Sequence, residues 1–333
     1  MRALVFTGPG KASVEEVPPP VAEPGQVVID VDRVGVCGTD VELFTGAMSY
    51  LESGESSYPI RPGHEWCGVV SALGDGVDPS WLGRRVTGDT MIGCGHCRRC
   101  ARGRHWVCES LRELGIRGLP GALAEQLAYP AEYLHSLPES VGIEAGAMVE
   151  PGGNALRSVT AAGVEAGDRL LVLGTGTIGL LAALFGRARG AEVHLLGLPA
   201  GLPWARELGF EDVWTRETLP ALPWDGVIDA THAASSPALA LDLIEPGRRI
   251  VYIGLSSTPS TIDTRSLVLR DVTAVGILGA SAGLPGAIEA YAAGDVDPRP
   301  LVAATVGLEE IVDVFEGRRT YDGGPKVLVD PRR

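Results

Sequence analysis

The sequence has little that would take it to a membrane, a nucleic acid or an oxidising compartment. Its longest apolar stretch, Leu170 to Phe185, is broken by Gly174, Gly176 and Gly179, whereas a spanning helix needs about 20 mostly apolar residues. The segment Met1 to Phe6 runs at once into Gly8-Pro9-Gly10, too short for the apolar core of a secretion signal. Bases are scarce: 28 Lys and Arg face 42 Asp and Glu, a net charge of −14, which leaves no patch to neutralise nucleic-acid phosphates. There is no internal repeat, low-complexity tract or long charged linker. These absences predict a soluble, cytoplasmic protein without nucleic-acid or membrane partners. The 333 residues, 45% of them hydrophobic and 21% charged, have ordinary globular composition and exceed one hydrophobic core, so two domains are expected.

The first half reads as β-rich. Val27, Ile29 and Val31 alternate with Val28, Asp30 and Asp32, as in a half-buried strand, and Trp66 to Leu73 is a second extended run before the turn Gly74-Asp75-Gly76. Short strands continue to about Leu137. From Asp168 the rhythm becomes strand, helix, strand. Arg169 to Leu173 is an apolar run suited to a parallel strand covered on both faces. A glycine turn follows, then a helix over Ile178 to Arg189. Val193 to Leu196, Gly226 to Ala230, Arg249 to Gly254 and Val272 to Ile277 supply further strands, with helices opening at Pro203 and spanning Ser235 to Ile244. This pattern predicts an α/β protein with a doubly wound parallel sheet. Pro285 to Ala293 and Leu308 to Gly317 read as helices, and Lys326 to Val329 as a closing strand.

Four of the six cysteines fall in Cys94-x2-Cys97-x2-Cys100-x7-Cys108. Without a secretion signal, reduced thiols binding metal are a better reading than disulfides. Four thiolates complete a tetrahedral zinc shell and leave no open position, so this site is expected to be structural. Arg98, Arg99, Arg102 and Arg104 are expected to favour the thiolates. The second motif is Gly174-Thr175-Gly176-Thr177-Ile178-Gly179. Its glycine spacing alone is a weak signal. Placed between a buried strand and a helix, it has the context that a dinucleotide pyrophosphate requires. The carboxylate that normally binds the adenosine ribose about twenty residues later is missing: His194-Leu195-Leu196-Gly197-Leu198-Pro199 stands there. NAD or NADP is therefore expected, with a lean to NADP, and Arg206 is the nearest candidate clamp for an extra phosphate.

The third set is dispersed: Cys37-Gly38-Thr39-Asp40, Gly63-His64-Glu65 and Glu150-Pro151. A thiolate, an imidazole and a carboxylate form a mixed shell that can leave one zinc position for substrate. Singly, Cys37 and His64 suit a core, and Glu65 and Glu150 suit a surface.

Together, in this order and spacing, these motifs resemble the zinc-containing medium-chain dehydrogenase/reductases of alcohol dehydrogenase type, over essentially the whole chain. Glu150-Pro151, after Met148-Val149, is similar to the Glu-Pro of the sorbitol and threonine dehydrogenase branch. Gly63-His64-Glu65-Trp66 and Leu111 to Gly115 resemble aminocyclitol dehydrogenases. The resemblance implies a GroES-like catalytic domain over residues 1–153 and 281–333, with a structural zinc lobe at about 93–109, and a Rossmann domain over 154–280. It implies two zinc ions per chain, the catalytic one on Cys37, His64 and either Glu65 or Glu150, the other on Cys94, Cys97, Cys100 and Cys108. Thr39 would take the alcohol proton and pass it towards the nicotinamide ribose. The expected activity is hydride transfer between NAD(P) and a secondary alcohol that is a polyol, sugar, aminocyclitol or amino alcohol. The expected partners are a small alcohol or ketone and further copies of the chain, as a dimer or tetramer. The alternatives are a threonine-type 3-hydroxy amino acid dehydrogenase, a zinc-free reductase of the same family, and a non-catalytic homologue.

Three departures from the family pattern stand out. Glu42 replaces a histidine of the proton relay; facing the pocket, it and Asn154 would suit hydroxyl or ammonium groups. Gly152-Gly153-Asn154 replaces bulkier residues, which would enlarge the active site. Only Thr215 to Asp225, with Pro220 and Pro223, separates the third and fourth Rossmann strands, so a helix there is short or missing.

Overall fold

Runs rich in valine and isoleucine, punctuated by Gly and Pro, become ten strands before residue 140. They are β1 (Arg2–Gly8), β2 (Lys11–Glu16), β3 (Gln26–Gly35), β4 (Glu65–Leu73), β5 (Arg85–Gly88), β6 (Met91–Ile92), β7 (Arg112–Leu114), β8 (Gly118–Leu119), β9 (Gln126–Pro130) and β10 (Leu134–Ser136). Helices α1 (Gly38–Thr45) and α2 (Ser49–Glu52) lie between β3 and β4, and α3 (Ile143–Ala147) follows β10. The computed structural model describes every residue from Met1 to Arg333. After α4 (Val149–Ala162) the chain alternates: β11 (Arg169–Leu173), α5 (Thr177–Ala188), β12 (Glu192–Leu196), α6 (Leu202–Glu207), β13 (Val213–Trp214), β14 (Trp224–Asp229), α7 (Ser236–Leu243), β15 (Ile244–Tyr252), α8 (Thr264–Leu269), β16 (Thr273–Gly276) and α9 (Leu284–Ala293). It ends with β17 (Val302–Val306), α10 (Leu308–Phe315) and β18 (Lys326–Val329). No helix is long and apolar enough to cross a membrane.

Two compact units result. The first joins Met1–Glu150 to Val302–Asp322 and Lys326–Arg333; the second is Pro151–Leu301 with Gly323–Pro325. The sequence had suggested joints at 153/154 and 280/281. Residues 281–301 instead stay with the second unit, because Gly152 and Gly153 leave room for Tyr291 and Ala280 to pack on α4.

In the first unit a seven-stranded sheet runs β10-β5-β4-β3-β18-β17, with β9 also paired to β3. β3 is buried on both faces, Val28 included at 4% exposure, where alternation had suggested one wet face. Phe6, Phe44 and Phe315 meet with ring centroids 5.1–5.6 Å apart, and Trp66 meets Tyr129 edge-on at 5.1 Å. Such aromatic contacts add to the burial that holds the core. Antiparallel pairing of β18 with β3, Leu328 opposite Gly35, brings Lys326 to the β3 end from which Cys37 follows.

The second unit is a six-stranded parallel sheet in the order β13-β12-β11-β14-β15-β16, the Rossmann order. Leu170 to Leu173 are at most 1% exposed, as expected of a strand covered on both faces. The third Rossmann strand, expected to end before Thr215, is the two-residue β13, and no helix stands between it and β14, as the prolines of that segment led one to expect.

Candidate active site

The four-cysteine segment lies between β6 and β7, and all six cysteines of the chain are free thiols. The sulfurs of Cys94, Cys97, Cys100 and Cys108 all lie within 4.8 Å of one another. Those of Cys97 and Cys108 are 3.8 Å apart, which is about the edge of a tetrahedron built on Zn–S bonds of about 2.3 Å. Backbone N–H groups point at the sulfurs: Cys94 N to Cys108 Sγ at 3.2 Å, Cys97 N to Cys94 Sγ at 3.3 Å, and Ser110 N to Cys108 Sγ at 3.3 Å. Amide donation from Cys100 and Glu109 takes the Cys97 thiol down to about 6. Burial, with Cys97 as a sulfur neighbour, pushes Cys100 up to about 12. The amides, not the neighbouring arginines, favour the thiolates. Arg99 instead donates to the Val107 carbonyl at 2.8 Å and pins the loop. Four adjacent sulfurs cannot all ionise without a cation among them, so the donor set fits zinc.

The dispersed set converges as well. Cys37 caps α1 in extended conformation, and Asp40, in the first turn, accepts from its N–H at 2.9 Å. The other Asp40 oxygen accepts from Gly63 N at 3.2 Å. One fully buried carboxylate thus stitches the Cys37 turn to the His64 turn. Gly115, at φ +69°, lies against the Gly63 backbone, where a Cβ would stand 2.7 Å from the Gly63 carbonyl oxygen. Ligand atoms of Cys37, His64 and Glu65 come within 4.8 Å of one another. His64 is buried, and its Nδ1 has no hydrogen bond, lying 3.6 Å from Asp40 Oδ1. Burial opposes a charged imidazole, but Asp40 and Cys37 hold its pKa well above the usual value. Nδ1 thus faces Asp40 without a hydrogen bond, and the two are coupled by charge.

Glu65 opens β4 and is 1% exposed. Its Oε2 lies 2.6 Å from Lys326 Nζ, and Lys326 also donates to the Val36 carbonyl at 2.8 Å. Gly35 is needed beside them, since a Cβ there would overlap Glu65 Oε2. Lys326 was missed as a site residue, although a signal existed: Lys11 and Lys326 are the only lysines among the 28 basic residues. Burial disfavours its charge, but Glu65 and Cys37 keep the lysine pKa raised. Glu150, in the first turn of α4, is buried, and its charge acts on His64, but it is not in the group of ligand atoms within 4.8 Å. Thr39 and Glu42 are half-buried on α1, Glu42 with an interaction of its own. Gly152 and Gly153 do not open a pocket, because Tyr291 and Ala280 occupy the space that their side chains would take. Asn154 is half-buried.

In the second unit the glycine turn joins β11 to α5. Gly174 has φ +107°, and a Cβ there would stand 2.9 Å from the Ala230 carbonyl oxygen. Gly179 lets α5 settle directly on the Gly174 carbonyl. Gly176 caps α5, whose first amides, including those of Thr177 and Ile178, are free for an anion. Arg206 is exposed in the last turn of α6.

Residues 23–139 match the alcohol dehydrogenase GroES-like domain. The chain is 32% identical over 342 residues to the 2-dehydro-3-deoxy-L-galactonate 5-dehydrogenase of Pseudoalteromonas atlantica, covering 99% of this chain and 98% of that one. It is 29% identical over 332 residues to an L-threonine 3-dehydrogenase of Mesorhizobium japonicum, covering 95% and 94%. A putative zinc-binding dehydrogenase of Sinorhizobium meliloti 1021, solved bound to NADP, has a TM-score of 0.89 and 27% identity, with 99% of each chain covered. This chain belongs to the medium-chain dehydrogenase/reductase family of alcohol dehydrogenase type.

Proposed function

We propose that the chain is a zinc-dependent dehydrogenase that moves a hydride between NAD(P) and a secondary alcohol on a polar skeleton. The observation that carries this reading is the convergence of Cys37, His64 and Glu65 beside a separate set of four sulfurs. The charge of the mixed set supports it. Asp40, Glu65 and Glu150 are all buried, Asp40 and Glu150 act on His64, and Lys326 is hydrogen-bonded to Glu65; buried acidic groups gathered around an imidazole and a sulfur suit a cation held among them.

In this reading Cys37, His64 and a carboxylate, Glu65 or Glu150, hold the catalytic ion, and Cys94, Cys97, Cys100 and Cys108 hold the structural one. Bound zinc supplies Lewis acidity, which makes a hydroxyl more acidic and a carbonyl more electrophilic. Asp40 fixes the imidazole. Lys326 occupies one oxygen of Glu65 and leaves the other for the ion or for a water. The Thr39 hydroxyl would relay the substrate proton, accepting it while releasing its own towards the nicotinamide ribose. Gly174 to Gly179 would hold the pyrophosphate at the α5 N-terminus, and Arg206, exposed, would lend a peripheral charge to the cofactor.

The substrate class is a sugar acid, polyol, aminocyclitol or amino alcohol, with Glu42 and Asn154 as candidate partners for its polar groups. The names of the relatives support this class: one is a dehydrogenase of a deoxy-galactonate and the other of threonine. A threonine-type activity is the second reading, favoured by that second relative. Free thiols suit the cytoplasm. Self-association is supported by the sheet edge at β16, where Val268 and Leu269 of neighbouring α8 are 80% and 85% exposed. The test is a panel of sugar acids, polyols, cyclitols, threonine and simple apolar alcohols, each with NAD and NADP. More efficient oxidation of apolar alcohols than of every polar one would overturn the substrate class.

A further inference from the structure

Position 197, at the end of β12, is where a dinucleotide fold usually carries the acid that binds the adenosine ribose diol. Its absence was legible in the sequence; the reason for it lies in packing. Leu196 pairs with Leu173, and Gly174 N donates to the Leu196 carbonyl at 2.7 Å, so the phosphate turn and the end of β12 are tied together. Between them sits Thr175, only 8% exposed. A Cβ on Gly197 would stand 2.6 Å from both Cγ2 and Oγ1 of Thr175, distances that real side chains do not show. A Cβ on Gly201 would overlap Thr175 Oγ1 as well. Neither glycine has a positive φ, and Gly201 is at −94°, −8°, open to any residue. Both positions are held at glycine by one neighbouring side chain and not by backbone strain.

We infer that Thr175 is the specificity-determining residue for the cofactor: its side chain fills the space from which a ribose-binding carboxylate at position 197 would grow, so the subsite admits a phosphorylated ribose. The inference rests on the nucleotide-binding reading above. It also makes Thr175 and residue 197 mutually exclusive. Removing Oγ1 and Cγ2 leaves only the Thr175 Cβ, 3.1 Å from a new Cβ at 197, a contact that a shift of a few tenths of an ångström relieves.

The experiment measures binding of ADP-ribose and 2′-phospho-ADP-ribose by calorimetry, with thermal stability alongside, for the wild type, Thr175→Ala, Gly197→Asp and the double variant. The wild type is expected to bind the phosphorylated ligand at least as well as the plain one. Gly197→Asp alone should weaken both by more than about tenfold and lower the melting temperature, since the loop must move to admit it. The double variant should regain ADP-ribose binding and shift the ratio towards it by about 100-fold relative to Thr175→Ala. If Gly197→Asp does not fold, the double variant against Thr175→Ala reads the same shift. Gly197→Asp that binds ADP-ribose as tightly as the double variant would overturn the inference, as would a double variant that fails to fold or shows no shift. A wild type that binds neither ligand would instead overturn the nucleotide reading, and this inference with it.

Discussion

Replacing Lys326 with methionine tests the charge arrangement around His64 most directly. The substitution keeps the length of the side chain and removes its charge. Glu65, 1% exposed, would lose the partner of Oε2, and the Val36 carbonyl would lose its donor. Removing one member of a buried ion pair costs about 3–5 kcal/mol, and orphaning a carbonyl costs about 1–3 kcal/mol. The two overlap, because one repacking event relieves both, so about 4 kcal/mol is expected. At roughly 2 °C per kcal/mol for a chain of this size, the melting temperature should fall by about 8 °C. Neutralising the other partner separates the pair from mere packing. Glu65→Gln/Lys326→Met should recover at least half of the loss, so the coupling in a double-mutant cycle should be about 2 kcal/mol plus whatever Glu65→Gln costs alone. Calorimetry on protein treated with chelator provides the measurement without a contribution from metal. A loss below about 1 kcal/mol for Lys326→Met, or strict additivity in the cycle, would refute the reasoning, because it would mean that Glu65 is hydrated despite its burial.

Elemental analysis should find about two zinc ions per chain; Cys100→Ser should remove one and destabilise the fold, whereas Cys37→Ser should abolish turnover with milder structural loss. Full activity in metal-free protein would contradict both. In metal-free protein, Cys97, at about 6, should be largely thiolate at neutral pH and be alkylated faster than Cys100, at about 12; mass spectrometry of the labelled peptides gives the order. The Cys97 advantage should shrink as the pH falls through 6, where its thiolate is lost. Glu150→Ala should lower kcat at least about tenfold, since a buried charge that acts on His64 is removed. Glu42→Ala should weaken oxidation of polyols and amino alcohols more than that of apolar ones, and an equal effect on both classes would place Glu42 outside substrate recognition.

Much of this molecule could be read from local pattern. The strand at Arg169 to Leu173 and the closing strand at Lys326 to Val329 match the expected spans, because continuous apolar runs bounded by polar residues leave little freedom of register. Helix α5 begins one residue before the predicted start, at the amide next to its Gly176 cap. The four-cysteine spacing announced its own cluster. What pattern could not supply was set by distant partners. The third strand of the second unit was expected before Thr215, but its residues could not be singled out, because Val213-Trp214 is a strand only through its pairing with β12. The return to the first unit was placed 21 residues early, since the packing of Tyr291 on Gly152 is invisible in a linear reading. Lys326 lies 261 residues from Glu65, and Thr175 excludes side chains 22 and 26 residues away by shape alone.

The near absence of lysine has a practical consequence. Lys11 is exposed on β2, whereas Lys326 is 2% exposed and committed to Glu65. The α-amine is engaged too, donating to the Val17 carbonyl at 2.9 Å. An amine-reactive probe therefore meets one free side-chain handle on the folded protein, and attachment through Lys11 would hold every molecule on a surface by the same point. The second handle becomes available only when the strands around it separate. The rate at which Lys326 acquires a label then counts openings of that core, in the manner of amide exchange but at a single known residue. With Lys11 as the internal standard for reagent activity, one chain carries both its clock and its calibration.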